Sequence, residues 1–315
     1  MHVLRSVSFL GSMAALLLAT SLAQSQTLTN VHVGMIPIEP AALVYYAKDM
    51  GFFDKAGLNV TIEANPSTPA LASAVVSGSI DISYATIPTL AVAHTKNIPF
   101  VIIAPGVSDS ATHFGGGIMV AEGSTLHTGK DFNGKTFGCA GLNTIAEYLP
   151  RNWIDKTGGD SSTVKFIEMP FSETAEALAA GRIDAGYMSE PFVTLAERRK
   201  LAKLIPGTDD AMGPEYIATG WFTTSQWAHN NADTVTRFAS AMHNAAVWAN
   251  AHQSLTIPMA AKYLKSDPAL TAQTRRPHYA EVLLPSQVQP YIDVTARYAK
   301  FAPFPASELI YVPGK

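Results

Sequence analysis

The stretch Gly78-Ser79-Ile80-Asp81-Ile82-Ser83-Tyr84 returns about a hundred residues later as Gly181-Arg182-Ile183-Asp184-Ala185-Gly186-Tyr187. Shorter matches keep the same order along the chain: Asp54-Lys55-Ala56-Gly57 with Asp155-Lys156-Thr157-Gly158, and Pro105-Gly106 with Pro206-Gly207. This period is longer than the roughly 20–50 residues of a solenoid repeat. It fits two βαβ-rich half-proteins, so the sequence predicts a duplicated α/β lobe with a cleft between the copies.

Short β-branched runs alternate with helix-like segments in both halves of the chain. The predicted strands cover residues 31–36, 60–64, 81–85 and 100–104, and then 135–140, 164–169, 185–188 and 202–205. The predicted helices between them are 41–50, one that begins at Ser67-Thr68-Pro69, 145–156 and 173–180. Strands that alternate with helices form parallel sheets. We therefore expect two doubly wound parallel-sheet lobes.

Two segments rich in glycine and small polar residues, 106–117 and 207–214, separate the halves. We interpret them as the two crossovers of a hinge. Beyond the second crossover, residues 217–224 predict a strand and 233–251 a helix with apolar residues at helical spacing. The tail from Asp267 onward is predicted to be helical with proline breaks, and to pack back on the first lobe. The expected domains are 28–108 with 215–315 as lobe I, and 113–208 as lobe II.

The first residues have the pattern of an export signal. Arg5 precedes an apolar run over residues 7–19, and small residues follow at Ser21-Leu22-Ala23. The run is too short for a membrane-spanning helix, which needs about 20 apolar residues. We expect residues 1–23 to be a signal peptide cleaved near Ala23-Gln24, which leaves a periplasmic mature chain that does not insert into the membrane.

The composition is that of an ordinary globular protein, because 47% of the residues are hydrophobic and 15% are charged. A net charge of −3 does not indicate the basic surface that binds nucleic acid. The single cysteine, Cys139, cannot form an internal disulfide. No His-Glu-x-x-His or Gly-x-Ser-x-Gly motif occurs in the sequence. The sequence therefore predicts no catalytic machinery, no metal site and no cofactor.

Ligands of open parallel sheets bind beyond the carboxyl ends of the strands. The loops that follow the predicted strands are candidates, at residues 37–40, 65–68, 86–87, 141–144, 170–172 and 189–191. Most of these loops begin a helix, whose free N–H groups attract an anion. Helix capping is the alternative role for their hydroxyl groups, and Thr144-Ile145-Ala146-Glu147 matches a capping box. Asn143, one residue earlier, is freer to face a ligand.

Two glutamates follow predicted strands without being needed for capping. Glu39 and Glu190 would oppose a simple anion and suit a ligand with amine, amidine or ring N–H donors. For Glu190, a salt bridge at the junction of the lobes is the alternative. Trp221 is a candidate for stacking on a ligand, because it lies near the second crossover and ligand pockets are mostly apolar. A place in the core is the alternative for any aromatic side chain.

Two stretches resemble signatures of a known family. Tyr45-Tyr46-Ala47-Lys48-Asp49-Met50-Gly51-Phe52-Phe53-Asp54-Lys55-Ala56-Gly57-Leu58 resembles the first signature of the sulfonate, taurine, nitrate and thiamine-pyrimidine binding proteins of ABC importers. Ala177-Leu178-Ala179-Ala180-Gly181-Arg182-Ile183-Asp184-Ala185, followed by Glu190-Pro191-Phe192, is similar to the second. The resemblance implies a type II periplasmic-binding-protein fold. In that fold each lobe receives one antiparallel strand from the other side of the hinge, here 118–121 and 217–224.

By the same resemblance, the chain captures a small-molecule ligand in an interlobe Venus-flytrap cleft and delivers it to the permease and ATPase of an ABC transporter. We expect a monomer. The implied ligand contacts are Ile38, Glu39, Ser67, Thr68, Thr86, Asn143, Thr144, Glu190 and Trp221. The turn 141–144 departs from the serine-rich turn of sulfonate binders, so sulfonates, pyrimidines, aromatic acids and amines stay open as solutes. The alternative is an enzyme similar to the superfamily's thiamine-pyrimidine synthase, whose cysteine-rich motif this chain lacks.

Overall fold

The computed structural model describes residues 28–109, 116–208, 212–213 and 215–314. The predicted signal peptide, residues 1–23, lies outside the described residues. The strands are β1 (Thr29–Met35), β2 (Leu58–Ala64), β3 (Ile82–Thr86), β4 (Phe100–Pro105), β5 (Val107–Asp109), β6 (Gly116–Ala121), β7 (Thr136–Cys139), β8 (Lys165–Glu168), β9 (Ala185–Ser189), β10 (Ala202–Leu204), β11 (Tyr216–Ile217), β12 (Thr219–Thr224) and β13 (His278–Tyr279). The helices are α1 (Leu43–Asp49), α2 (Phe52–Lys55), α3 (Thr68–Ser77), α4 (Ile87–Thr95), α5 (Ile145–Lys156), α6 (Phe171–Ala179), α7 (Phe192–Arg198), α8 (Ser225–Asn230), α9 (Ala232–Ala251), α10 (Gln253–Leu264), α11 (Pro268–Thr271) and α12 (Pro285–Ala299).

Each lobe is built on a five-stranded sheet, the first in the order β2-β1-β3-β12-β4 and the second in the order β10-β6-β9-β7-β8. In the first sheet β1 runs parallel to β2 and β3, whereas β12 runs antiparallel to β3 and β4. In the second sheet β7 runs parallel to β8 and β9, whereas β6 runs antiparallel to β9 and β10. The predicted fold class of two α/β sheet lobes is confirmed. The two strands expected to be antiparallel, within 118–121 and 217–224, are antiparallel in β6 and β12.

The repeated sequence landmarks hold equivalent positions in the two lobes. Asp81 Oδ2 accepts a hydrogen bond from the His32 backbone N–H at 2.8 Å, and Asp184 Oδ2 accepts one from the Thr136 N–H at 2.9 Å. Each aspartate thereby joins the start of one central strand to its parallel neighbour. The glycine that begins each copy, Gly78 or Gly181, has a φ of 75° or 66°, in the left-handed region that ends a helix. The duplication in sequence is therefore also a duplication in structure.

A small sheet that the sequence did not predict forms the hinge. In this sheet β5 pairs antiparallel with β11 on one side and with β13 of the C-terminal tail on the other. The Gly106 N–H donates to Thr219 O at 2.9 Å. A Cβ atom on Gly106 would lie 2.2 Å from Thr219 Oγ1, so this close approach of the two crossovers requires glycine. Both crossovers and the tail are thus tied together at the base of the lobes.

The C-terminal tail contacts both lobes, whereas the sequence predicted that it would pack on the first lobe. Helix α12 packs against α4 of the first lobe and against α5 of the second. Tyr298 OH donates to Asp155 Oδ2 at 2.8 Å, and its ring stacks on that of Tyr148 with centroids 6.3 Å apart. The tail is therefore a third connection between the lobes, beside the two crossovers.

Helix α9, with 20 residues, supports the first lobe. Its buried face includes Phe238, Met242 and Ala245, as their helical spacing predicted. The Phe238 ring stacks on that of Phe53 in α2, with centroids 5.5 Å apart. Among the described helices, none has both the length and the hydropathy that crossing a bilayer requires.

The burial of Cys139 predicts an unreactive thiol. Its Sγ donates to Ile167 O at 3.6 Å, and burial raises the pKa of the thiol to about 12, with the negative charge of Glu147 adding to the rise. Because the thiolate is the reactive form, we predict that iodoacetamide at pH 8 alkylates the protein much faster in denaturant than in buffer. Mass spectrometry measures the alkylated fraction over time. Equal rates in the two conditions would show that the thiol is accessible in the fold.

Candidate functional site

A cavity lies between the lobes, where the carboxyl ends of their central strands face each other. Its volume is about 60 Å³, whereas the cleft that adjoins it has about 440 Å³, which is within the range of small-molecule sites, about 300–1,000 Å³. We call the smaller space the inner cavity. The first lobe and hinge line it with Ile36, Ile38, Pro40, Thr68, Tyr84, Ala85, Thr86, Val107, Asp109, Ala218 and Thr219. The second lobe lines it with Ala140, Gly141, Thr144, Ile145, Ala146, Phe171, Tyr187 and Ser189.

A second depression, which we call the outer cleft, adjoins the inner cavity. The two share part of their lining, namely Ile36, Ile38, Thr68, Ala140, Gly141 and Phe171. The outer cleft continues along Pro37, Pro66, Ser67, Pro69, Glu168, Met169, Pro170, Ser172 and Phe192. Of the predicted contacts, Ile38, Ser67, Thr68, Thr86 and Thr144 therefore lie on these two surfaces.

Three of the predicted hydroxyl groups cap helices at the edge of the cavity. Ser67 Oγ accepts from the Ala70 N–H at 3.3 Å, Thr86 Oγ1 from the Thr89 N–H at 3.4 Å, and Thr144 Oγ1 from the Ala146 N–H at 3.2 Å. Each hydroxyl keeps a further lone pair, and each helix keeps other free N–H groups in its first turn. The caps therefore fix the N-termini of helices α3, α4 and α5 at the cavity. The hydroxyl groups and the remaining N–H groups can still bind a solute.

Asn143 lies where the lobes touch. Its carbonyl oxygen accepts from Thr89 Oγ1 of α4 at 3.4 Å, and its Oδ1 accepts from Tyr148 OH at 2.7 Å. Glu147 Oε2 accepts from the Asn143 N–H at 2.8 Å. This corrects the predicted capping box, in which Glu147 would reach the N–H of Thr144. Asn143 is exposed beside the cavity, and its contact with a ligand stays a prediction.

Glu39 and Glu190 are buried away from the cavity, with exposures of 0% and 1%. Arg276 forms an ion pair with Glu39, and Thr274 Oγ1 donates to Glu39 Oε2 at 2.9 Å. Arg275 lies 3.4 Å from Glu190 Oε1. The salt bridge predicted as the alternative for Glu190 is confirmed. The structure corrects the prediction that these carboxylates contact a ligand, because both are turned toward arginines.

The tail segment Gln273-Thr274-Arg275-Arg276, which we call the strap, connects the two lobes through these ion pairs. Arg276 contacts Glu39 beside β1, whereas Arg275 donates to both carboxylate oxygens of Glu197 in α7 at 2.9 and 3.1 Å. Burial raises the pKa of Glu190, against hydrogen bonds from Thr194 and Arg275 that lower it, and burial lowers the pKa of Arg276. Desolvation thus opposes these charges, and the strap supplies their partners.

Trp221 is a core residue. It has 0% exposure in β12, with its ring centroid 5.2 Å from that of Tyr84 and 6.2 Å from that of Phe238. The alternative of a place in the core is confirmed. The predicted stacking on a ligand is corrected, because packing of the indole between these rings leaves no face exposed to the cavity.

Two tyrosines that the sequence analysis did not select line the inner cavity. Tyr84 and Tyr187 are the last residues of the two copies of the repeated stretch, in β3 and β9. Their shared position in the repeat could have identified them, because equivalent strands of the two lobes end at the same cavity. Asp109 also lines the cavity with 2% exposure, although its local sequence marked it as part of a crossover.

The charged side chains in the described lining of the inner cavity and outer cleft, Asp109 and Glu168, are both acidic. A helix N-terminus favours a nearby anion by about 0.3–1 kcal/mol at an exposed site. Within the described residues, no group of three or more His, Cys, Asp or Glu side chains is arranged to hold a metal ion.

The sequence of this chain is similar to those of known binding proteins. Residues 40–255 match the family model described as NMT1/THI5 like. The formylaminopyrimidine-binding protein of Halalkalibacterium halodurans is 28% identical over 144 residues, which cover 45% of this chain and 41% of the relative. The putative binding protein YtlA of Bacillus subtilis is 23% identical over 266 residues, which cover 80% of this chain and 75% of the relative. The match thus spans less than half of the first relative's length.

Solved structures share the fold. The ligand binding component of an ABC-type import system from Staphylococcus aureus superposes with a TM-score of 0.77 at 18% identity, covering 90% of this chain and 96% of that one. The periplasmic aliphatic sulphonate binding protein SsuA from Escherichia coli superposes with a TM-score of 0.74 at 15% identity, covering 90% of this chain and 97% of that one. These relatives and neighbours carry the names of binding proteins, and the Staphylococcus aureus protein is a component of an ABC-type import system. The resemblance to sulfonate and thiamine-pyrimidine binding proteins is confirmed.

The two arginines of the strap should differ in their contribution to stability. We predict that Arg276→Ala lowers the free energy of unfolding by about 3–5 kcal/mol, because it removes the ion-pair partner of a fully buried carboxylate. Arg275→Ala should cost less, about 1 kcal/mol, because 38% of that side chain is exposed and Glu190 keeps its two hydrogen bonds from Thr194. Urea unfolding followed by circular dichroism measures both changes. Arg182→Ala, which removes an exposed arginine, is the control, and an Arg276→Ala loss no larger than that of the control would refute the prediction.

Proposed function

The chain belongs to the NMT1/THI5 like family, and from this membership we propose that it is an extracytoplasmic solute-binding protein. It captures a small organic molecule in the inner cavity and delivers it to the permease and ATPase of an ABC importer. The observation that carries this proposal is the enclosure of the cavity by both lobes at the carboxyl ends of their strands. A solute in the cavity contacts both lobes at once.

The periplasm is the proposed location of the mature protein. Arg5, the apolar run over residues 7–19 and the small residues before Gln24 support export through a signal peptide cleaved near Ala23. The fold shared with a periplasmic sulphonate binding protein is compatible with this location.

The proposed role is binding without catalysis. Both curated relatives named above are binding proteins. An enzyme that used Cys139 as a nucleophile would need its thiolate in the cavity, whereas the thiol is buried in β7 with a pKa of about 12 and donates to a backbone carbonyl. These features support solute capture over the synthase-like alternative.

The ligand contacts that we propose come from both lobes. Thr68 and Thr86 present hydroxyl groups from the first lobe, and Thr144 presents one from the second. Capture at micromolar concentration corresponds to about −8 kcal/mol. Apolar walls supply much of this energy, and the hydroxyl groups orient the ligand. A ligand favours the closed arrangement to the extent that it binds this arrangement more tightly than the open one.

A screen by thermal shift tests the proposal. The probes are a formylaminopyrimidine, ethanesulfonate, nitrate, an aromatic acid and an amine. We expect at least one class to raise the melting temperature, because a ligand at a hundred times its dissociation constant stabilises the folded state by about 2.7 kcal/mol. We also expect small-angle X-ray scattering to show a smaller radius of gyration with that ligand. No shift from any class, together with unchanged dimensions, would refute solute capture.

A cavity-filling variant shows where the ligand binds. Ile38→Trp places an indole in the lining shared by the inner cavity and the outer cleft, so we expect it to abolish the thermal shift. Val76→Trp adds the same side chain on an exposed face of α3 and should retain the shift. An unchanged shift in the Ile38 variant would place the ligand elsewhere.

A further inference from the structure

The strap reaches the second lobe at the C-terminal end of helix α7. Arg275 donates to both carboxylate oxygens of Glu197 at 2.9 and 3.1 Å, which makes a bidentate ion pair. Arg198, the next residue of α7, donates to Gln273 Oε1. We call these two contacts the latch. Because α7 lies between β9 and β10 along the chain, the latch joins the second lobe to the C-terminal tail.

The other end of the strap is anchored in the first lobe. Arg276 forms its ion pair with Glu39, whose side chain is 0% exposed. Arg276 also donates to Tyr46 OH of α1 at 3.3 Å and to Thr256 Oγ1 of α10. Helices α1 and α10 both pack against α9 of the first lobe. The strap is therefore part of the first lobe, and the latch is a contact between the lobes.

The two ends of the strap differ in burial. The Arg276 side chain is 12% exposed, whereas those of Arg275 and Glu197 are 38% and 31% exposed. Breaking the latch returns its charges to water. The buried carboxylate of Glu190 then still accepts hydrogen bonds from the Thr194 N–H and hydroxyl group. The latch can therefore open without leaving a buried carboxylate unpaired, which is the costly outcome for such a group.

The latch acts outside the ligand site. None of its four side chains belongs to the described lining of the inner cavity or of the outer cleft. In the same arrangement of the lobes, Thr89 Oγ1 of the first lobe lies 3.4 Å from the Asn143 carbonyl oxygen of the second. The latch therefore stabilises an arrangement in which the lobes touch, which we call closed, and it does so without contacting a ligand.

We propose that the latch determines which fraction of the protein is closed before a ligand binds. For a ligand that binds only the closed arrangement, the apparent dissociation constant is the intrinsic one divided by the closed fraction. The latch contributes the same free energy to closure whatever the ligand is. Loss of the latch therefore weakens the binding of every ligand by one common factor, which loss of a specificity residue in the cavity would not do.

Double electron–electron resonance on the mature protein without ligand measures the closed fraction. The spin labels are placed at Ala70→Cys in α3 and at Glu173→Cys in α6, which are exposed positions on opposite lobes. The residues before them, Pro69 and Ser172, line the outer cleft, so the distance between the labels increases when the cleft opens. The native Cys139 is buried and stays unlabelled.

A charge reversal tests the latch. Glu197→Lys places a cation opposite Arg275, so we expect the ratio of open to closed protein to rise by about fivefold or more, because repulsion replaces a bidentate ion pair. Glu197→Gln removes only the charge and should give a smaller change in the same direction. Glu176→Lys is the matched control, because it makes the same change opposite Arg199 inside the second lobe. The control should keep the distances of the parent protein.

An unchanged distance distribution in Glu197→Lys would overturn the inference, and so would an equal change in Glu176→Lys. Melting temperatures check that each variant is folded. Because the distances are measured without ligand, their outcome is independent of solute capture. Longer distances in Glu197→Lys would support the latch even where no probe class binds. A probe that binds to a protein whose distances do not respond to Glu197→Lys would support solute capture and overturn the latch.

Discussion

The return of β12 through the hinge is the constraint on which the rest of the structure depends. Strand β12 lies between β3 and β4 and so has ladder partners on both sides, whereas the second sheet, β6 to β10, is one continuous segment of the chain. The first sheet is complete only when the chain comes back from the second lobe, which keeps the lobes adjacent. The two crossovers approach closely where Gly106 meets Thr219, and Thr219 already belongs to the cavity lining. The cavity is therefore a consequence of the topology, since the connection that joins the lobes also brings the ends of their strands together.

Buried carboxylates lie in two different surroundings in this protein. Glu39 and Glu190 follow central strands of opposite lobes, and each is paired with one of two consecutive arginines of the strap. Desolvation of such charges is costly, so their ion pairs mainly prevent a large loss of stability and hold the strap in register with both lobes. Asp109 lies on the hinge sheet and lines the cavity. Location in the fold therefore separates the acids that hold the strap from the acid at the cavity.

The sequence predicted the fold more completely than the site, for a physical reason. Strands, helices and the repeat follow from local patterns of apolar residues and glycines, and the hydrogen bonds of Asp81 and Asp184 show that the repeat had a structural cause. The arginine partners of Glu39 and Glu190 lie far along the chain in the tail, so no local pattern reveals these ion pairs. Trp221 follows a crossover in the sequence, which favours a place at the cavity. Its burial inside the first sheet depends on the long-range pairing of β12 with β3 and β4. Asp109 was missed because a three-residue strand gives no periodic signal.

The position of a contact determines what it can contribute to capture. A ligand changes the balance between open and closed arrangements only through contacts that differ between the two. Thr68 and Thr86 on one side and Thr144 and Phe171 on the other belong to different lobes, so their distances to a common ligand change when the lobes rotate. Lining groups on the hinge sheet, such as Thr219, stay close to the axis of such a rotation, so a ligand contact there would change little. Closure therefore depends on the groups carried by the lobes, and the hinge groups can contribute to affinity without driving closure.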